Sequence, residues 1–167
     1  MTRVKEPVLE EASDPERVAV AQTLLEEYSR GLGFPLDFQG FAQELESLPG
    51  EYAPPHGRPI LARVGGRYAG CIGLRRFDAT TCEMKRLYVR PGFRGRGIGG
   101  RLAEYVVGEA RKLGYRRMRL DTVPSMTVAL GLYRSLGFRE IPPYRFNPVL
   151  GAVYLELDLG ASRASAR

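Results

Sequence analysis

Glu83-Met84-Lys85-Arg86-Leu87-Tyr88-Val89-Arg90-Pro91-Gly92-Phe93-Arg94-Gly95-Arg96-Gly97-Ile98-Gly99-Gly100-Arg101-Leu102 reads as a strand, a glycine-arginine loop and the first turn of a helix. Gly95 and Gly97 alternate with Arg94 and Arg96, so the loop backbone can come close to a ligand. The helix begins at about Gly97 and continues with Leu102, Val106, Val107 and Ala110 on one face. Its first N–H groups have no acceptor within the helix and carry partial positive charge. With Arg94 and Arg96 beside them, they make a place for phosphate.

The identity of the phosphate ligand depends on what surrounds the loop. Gly95-Arg96-Gly97-Ile98-Gly99-Gly100 satisfies G-x-G-x-x-G, and Asp121 follows at about the distance of a ribose-binding acid. That dinucleotide reading fails on context. The strand before the loop is charged at Glu83, Lys85 and Arg86, and the loop lies past mid-chain, with little chain left for further βα units. No G-x-x-x-x-G-K-[ST] run is present, which excludes a P-loop. A kinase glycine loop needs a later strand lysine, and the only lysine after the loop is Lys112, in the same helix.

Outward from the loop, apolar spacing and turn residues order the rest. Val4 to about Glu11 reads as an edge strand. Ser13 is read as a helix cap, with Pro15 in the first turn and Glu16 closing a capping box. The helix runs through Val18, Ala21, Leu24, Leu25 and Tyr28 to Gly31 and Gly33, and a shorter one spans Phe38 to Leu48. After a proline-rich loop, Ile60–Val64 and Arg67–Arg75 form a hairpin around Gly65-Gly66. Thr81–Val89 enters the phosphate loop. Arg117–Thr122 is a strand, Pro124–Leu136 a helix capped by Gly137, Phe138–Ile141 a strand and Ala152–Leu157 the last strand. The order β-α-α-β-β-β-α-β-α-β-β is α+β. Residues 1–160 are expected to form one domain, and 161–167 a disordered tail.

Arg94-x-x-Gly97-x-Gly99, preceded by Leu87-Tyr88-Val89-x-Pro91 and followed by Ala129-x-x-Leu132-Tyr133-x-x-Leu136-Gly137-Phe138, resembles the core of the GNAT superfamily of acyl-CoA N-acyltransferases. The resemblance is strong from about Thr81 to Leu157 and loose before it. It implies a mixed, mostly antiparallel sheet of about seven strands with helices on both faces. It further implies that Thr81–Val89 and Arg117–Thr122 run parallel and then splay apart to admit a pantetheine arm. Acetyl-CoA is the implied acyl donor and a primary amine, on a small molecule or a peptide, the implied acceptor. A homodimer is compatible with the family and fixed by nothing in the sequence.

Amine acylation needs a neutral amine, N–H donors for the developing oxyanion and a proton or hydrogen bond for the leaving thiolate. The resemblance assigns the pantetheine and oxyanion contacts to the main chain of Leu87, Tyr88 and Val89. It assigns the pyrophosphate to the N–H groups of Arg94, Gly95, Arg96, Gly97, Ile98 and Gly99. Tyr133 stands where the family often has a tyrosine near the thioester sulfur, and a phenol can donate to a thiolate; read plainly, it is a core aromatic. Glu83, eleven residues before Arg94, matches a strand position that serves as general base in some members. Read plainly, Glu83 is a solvated or salt-bridged strand carboxylate beside Lys85 or Arg86. His56, in a proline-rich loop, is a weaker candidate base. Tyr28, Phe34, Phe38, Tyr52 and Tyr144 are candidates for the acceptor pocket. Asp121 is read as structural, accepting bonds where the strands splay.

Composition sets the outer bounds. The 167 residues carry a formal net charge of +6, and the basic residues are nearly all arginine, spread along the chain. A polyanionic ligand accounts for part of that charge, and no nucleic-acid partner is expected. No apolar run reaches the length of a membrane span and the N-terminus has no signal-like apolar core, so a cytoplasmic protein is expected. Cys71 and Cys82 fall in strand-like stretches and fit buried thiols. A single histidine and no Cys/His cluster speak against a metal site. Neither cysteine has an activating base nearby in sequence, so direct attack in a ternary complex is expected rather than an acyl-cysteine. The alternative is a non-catalytic acyl-CoA sensor or scaffold of the same fold.

Overall fold

The computed structural model describes residues 5–33, 35–36 and 40–160. Seven strands form one sheet in the order β1-β2-β3-β4-β5-β7-β6. They are β1 (Val8–Glu11), β2 (Arg58–Val64), β3 (Arg67–Arg76), β4 (Thr81–Val89), β5 (Arg117–Thr122), β6 (Arg139–Glu140) and β7 (Val153–Asp158). The helices are α1 (Pro15–Gly31), α2 (Phe41–Ser47), α3 (Ile98–Lys112) and α4 (Thr127–Ser135). Every neighbouring pair is antiparallel except β4 and β5. The α+β order, the mixed sheet and the parallel central pair are those the sequence implies.

Local chemistry sets most element ends, and in three places it departs from expectation. The cap of α1 is Asp14, whose Oδ1 accepts from the Arg17 N–H at 2.8 Å, not Ser13. Pro15 takes the first helical position, which makes the residue just before it the cap. Helix α2 begins at Phe41 because Gly40 is left-handed, at φ 66°. Helix α4 begins at Thr127 rather than at Pro124, after a turn in which Met126 N–H bonds Val123 O. Val4, Phe34, Phe38 and 161–167 lie outside the described residues.

The helices cover both faces of the sheet. Leu102, Val106 and Ala110 of α3 and Leu130 and Tyr133 of α4 pack on Ile60, Ile72, Met84, Met118 and Leu155. On the other face Leu24 and Leu25 of α1 and Phe41 of α2 meet Leu61 and Cys71. Both cysteines are buried free thiols.

One irregularity shapes everything that follows. Between Cys71↔Tyr88 and Gly73↔Lys85, β3 advances two residues while β4 advances three. The extra residue is Arg86, left-handed at φ 63° and the only described non-glycine with positive φ. Holding a side-chain-bearing residue there costs about 1–2 kcal/mol. The bulge also resets alternation. Cys82 and Met84 before it, and Leu87 and Val89 after it, all point to the α3 side. Glu83, Lys85 and Arg86 are left as buried charges, at 1%, 5% and 6% exposure.

Candidate active site

The parallel ladder between β4 and β5 consists of Thr81↔Arg117, Cys82↔Met118 and Glu83↔Arg119, and then it stops. Both strands go on: β4 to Val89, and β5, held by β7, to Thr122. From Met84 onward the two strands part, leaving a wedge in the middle of the sheet. Backbone groups in it that find no sheet partner are available to a ligand. The main chain of Leu87, Tyr88 and Val89 borders this wedge.

The glycine-arginine loop closes the wide end. Gly95 and Gly97 are left-handed, at φ 80° and 78°. Gly97 is the N-cap of α3 and supplies no side-chain hydrogen bond to it. The first N–H groups of a fifteen-residue helix are thus left without a protein cap. A Cβ at Gly95 or Gly97 would meet nothing within 4 Å, so these residues are required by backbone conformation and not by crowding. Arg94 is exposed, and its Nε donates to Val89 O at 2.9 Å, tying the loop to the end of β4. Arg96 is exposed over the ring of Phe93, 5.4 Å from its centroid. Ile98 is buried and anchors the first turn, and a Cβ added at Gly99 would stand 3.7 Å from Val89 Cγ2. Uncapped N–H groups, two mobile-length cations and a wedge of unpaired strand fit a pyrophosphate with a narrow tail.

Tyr133 comes from α4, 7% exposed, its ring centroid 5.8 Å from that of Phe138. Its neighbour Leu132 lies 3.7 Å from where a Cβ of Gly100 would stand, so α4 abuts the start of α3. Burial pushes the phenol of Tyr133 above its ordinary value, and the charge of Tyr28 adds to the rise. Tyr28 belongs to α1 on the opposite face and stacks edge-on against Tyr88, with centroids 6.1 Å apart.

Glu83 lies on the α1 side, and its partners are not the neighbours expected in sequence. Oε1 accepts from Arg75 Nε at 3.0 Å and from Arg145 Nη2 at 2.7 Å; Oε2 accepts from Tyr144 O–H at 2.8 Å. Burial raises the Tyr144 phenol, and the Glu83 and Asp121 charges raise it further. Lys85 reaches Asp121 Oδ1 at 3.5 Å, and Asn147 donates to Asp121 Oδ2 at 3.0 Å. This pair stands one alternation beyond the last backbone pair, Glu83↔Arg119, and so ties the two strands together where they begin to part. Burial holds the Lys85 ammonium down to about 8, against the opposing pull of Asp121.

Arg86 is held by Glu44 of α2 through two bonds of 3.0 Å, with the Phe41 ring 5.2 Å from its guanidinium carbon. Tyr52, its ring laid against Gly73, donates to Glu44 Oε2 at 3.0 Å. Burial would raise the Glu44 carboxyl, but Arg86 and Tyr52 outweigh it and leave it below its ordinary value. Arg86 is 4% and Glu44 11% exposed in the side chain, so removing one partner strands a buried charge. Glu44→Ala is expected to cost about 3–5 kcal/mol of unfolding free energy in a denaturant titration. A loss below about 1 kcal/mol would mean that the pair contributes no more than a surface one.

The sequence reading located Glu83 and Tyr144 without linking them, and it missed Arg145, Asn147, Lys85 and Glu44. The available signal was the run Glu83, Lys85, Arg86 inside an otherwise apolar strand. His56 is exposed, and its carbonyl accepts from Tyr115 O–H at 2.7 Å.

Residues 19–138 match the Acetyltransferase (GNAT) family. The chain belongs to the GNAT family. It resembles an uncharacterised N-acetyltransferase of Schizosaccharomyces pombe, 40% identical over 138 residues that cover 81% of this chain and 85% of that one. An IAA acetyltransferase of Azospirillum brasilense is 35% identical over 87% of this chain and 94% of its own. Among solved structures, a GNAT acetyltransferase of Staphylococcus aureus superposes with TM-score 0.76 at 22% identity, covering 92% of this chain and 99% of that one. A Salmonella typhimurium protein solved with its cofactor acetyl-CoA has TM-score 0.66 at 18% identity, covering 92% and 94%. As a GNAT protein the chain is an acyltransferase, and acetyl-CoA is the family's acyl donor. No described helix is long and apolar enough to cross a membrane.

Proposed function

We propose that this GNAT protein transfers an acetyl group from acetyl-CoA to a primary amine, by direct attack while both are bound. The observation that carries the reading is the parting of β4 and β5 after Glu83↔Arg119, with its wide end at the uncapped start of α3.

The donor supplies a thioester, whose acyl carbon is open to attack by an amine. The N–H groups from Gly95 to Gly99 hold its pyrophosphate, with Arg94 and Arg96 adding charge, while the Arg94 N–H is already engaged with Pro91 O at 3.3 Å. The main chain of Leu87, Tyr88 and Val89 holds the pantetheine arm and offers an N–H donor to the acyl oxygen. Tyr133, kept protonated by burial, gives a proton or hydrogen bond to the departing sulfur. On the other face Glu83 takes up the proton of the amine. Three donors already converge on Glu83, so the proton travels through Tyr144: its oxygen accepts from the amine as its own hydrogen passes to Glu83 Oε2. Burial raises the thiols of Cys71, pushed up to about 12, and Cys82, which supports direct transfer over a thiolate-borne acyl group.

The test uses an acetyl donor labelled in the acyl group. Protein and donor quenched without amine should leave no label on protein; with amine, label should appear on the amine. Label held covalently by the protein before amine is added would contradict direct transfer.

A further inference from the structure

Arg86 does not lie where an unbroken strand would put it. With Cys82 and Met84 on the α3 side, residue 86 would follow them into the apolar core. The bulge turns it to the other face instead, left-handed at φ 63°, where Glu44 of α2 accepts two bonds of 3.0 Å from its guanidinium. A residue with a Cβ keeps such a conformation only when its surroundings hold it. The hold is built in layers. Tyr52 O–H seats the Glu44 carboxylate at 3.0 Å. The Tyr52 ring in turn needs the bare backbone of Gly73, the partner of Lys85, since a Cβ there would stand 2.6 Å from it. Phe41, the first residue of α2, lays its ring against the guanidinium.

The backbone of Arg86 also sets a peptide plane. Arg86 O accepts from Sγ of Cys71, on β3, at 3.6 Å. In a planar trans peptide the next N–H points the opposite way from the carbonyl. β4 lies between β3 and β5, so the Leu87 N–H is turned away from β3 and into the wedge. An extended Arg86 would turn that plane and carry the N–H with it.

We propose that Arg86 and Glu44 are positioning residues for acyl transfer: Glu44 holds Arg86 left-handed, and Arg86 thereby aims the Leu87 N–H at the acyl oxygen of the donor. This rests on the reading above for where the thioester lies. Helix α2 then contributes to activation of the donor from the face of the sheet opposite α3.

Two double variants separate conformation from charge. Glu44→Gln with Arg86→Gly removes both charges and places at 86 the residue that takes positive φ freely. Glu44→Gln with Arg86→Met removes the same charges and offers an apolar side chain suited to the α3 core. The first readout is the carbonyl stretch of bound acetyl-CoA, isotopically labelled at its acyl carbon, in infrared difference spectra. A hydrogen bond to the thioester oxygen lowers that frequency, and no turnover is needed to see it. The wild type and the Arg86→Gly double should show the lowering, and the Arg86→Met double should lose most of it. Glu44→Gln alone should also lose it, so that Arg86→Gly acts as a rescue. Deleting an oxyanion donor outright costs about 10²–10³ in kcat; misaiming one should cost the Arg86→Met double about 10- to 100-fold, with the Arg86→Gly double within about threefold of wild type. Coenzyme A, which has no acyl oxygen, should bind all of them alike. Equal frequencies in the two doubles, or no lowering in wild type with the donor bound, would overturn the proposal whether or not the protein turns over. A lowered frequency that follows the predicted order without turnover would keep it and sink the catalytic reading. Failure of the wild type to bind acetyl-CoA would overturn both.

Discussion

Gly97→Val should raise the dissociation constant for coenzyme A by about 100-fold or more while leaving the fold in place. Two effects add. Gly97 sits at φ 78° and ψ 11°, a region that costs a side-chain-bearing residue about 1–2 kcal/mol and a β-branched one more. The loop would leave that conformation and carry the first N–H groups of α3 with it. Each charge-assisted hydrogen bond lost to a phosphate is worth about 1.5–3 kcal/mol, so two account for the expected loss. A Cβ at this position meets no protein atom within 4 Å, so the core is not strained and the thermal midpoint should move little. Gly92→Ala is the control. Gly92 is equally open and has no positive φ, so affinity should hold. Unchanged affinity in Gly97→Val, measured by calorimetry, would remove the loop from the donor site.

Tyr133→Phe should lower kcat by about 10- to 100-fold and leave acetyl-CoA affinity within about twofold. General acids contribute about 10²–10⁴-fold. The lower end is expected because a thiolate, with a thiol pKa near ~8.5, leaves without full protonation. The substitution is clean: the ring packs on Phe138, and no hydrogen bond from the Tyr133 hydroxyl to a described residue is seen, so phenylalanine keeps the contacts. The rate should depend on the thiol that leaves, falling more for a poor leaving group than for a good one. An unaltered kcat would take the proton-donor role away from Tyr133.

Much of the fold was legible because its signals are local. Thr81–Val89 and Arg117–Thr122 coincide with their observed bounds, since turn residues flank each strand: Asp78 Oδ1 accepts from the N–H groups of Thr80 and Thr81, and Gly114 is left-handed at φ 89° before β5. Helix starts were less legible. Ser13 and Asp14 are both good caps, and only the placement of Pro15 at the first helical position decides between them. In Pro124 to Leu136 apolar spacing runs on through a turn, and periodicity alone does not show where the hydrogen bonds begin.

The site was legible on the donor side and obscure on the acceptor side, for a physical reason. Donor binding depends on backbone N–H groups and left-handed glycines, which a short contiguous run specifies. The acceptor side is assembled from far-apart pieces. Glu83 meets Arg145, 62 residues on, and Arg86 meets Glu44, 42 residues back. The bulge at Arg86 changes which face each β4 side chain occupies, and nothing in the run Glu83-Met84-Lys85-Arg86 announces an extra residue. Buried charges inside a strand signal that partners exist without naming them.

The most direct measurement of the central claim is thiol release from saturating acetyl-CoA, with and without an amine acceptor. Amino acids, polyamines, aminoglycosides and short peptides would be supplied in turn. The account predicts a rate that rises with one class of amine and equals the rate at which acyl-amine forms. Release that stays at the amine-free rate across every class, in protein shown to bind acetyl-CoA, would contradict it and leave an acyl-CoA-binding protein without transfer.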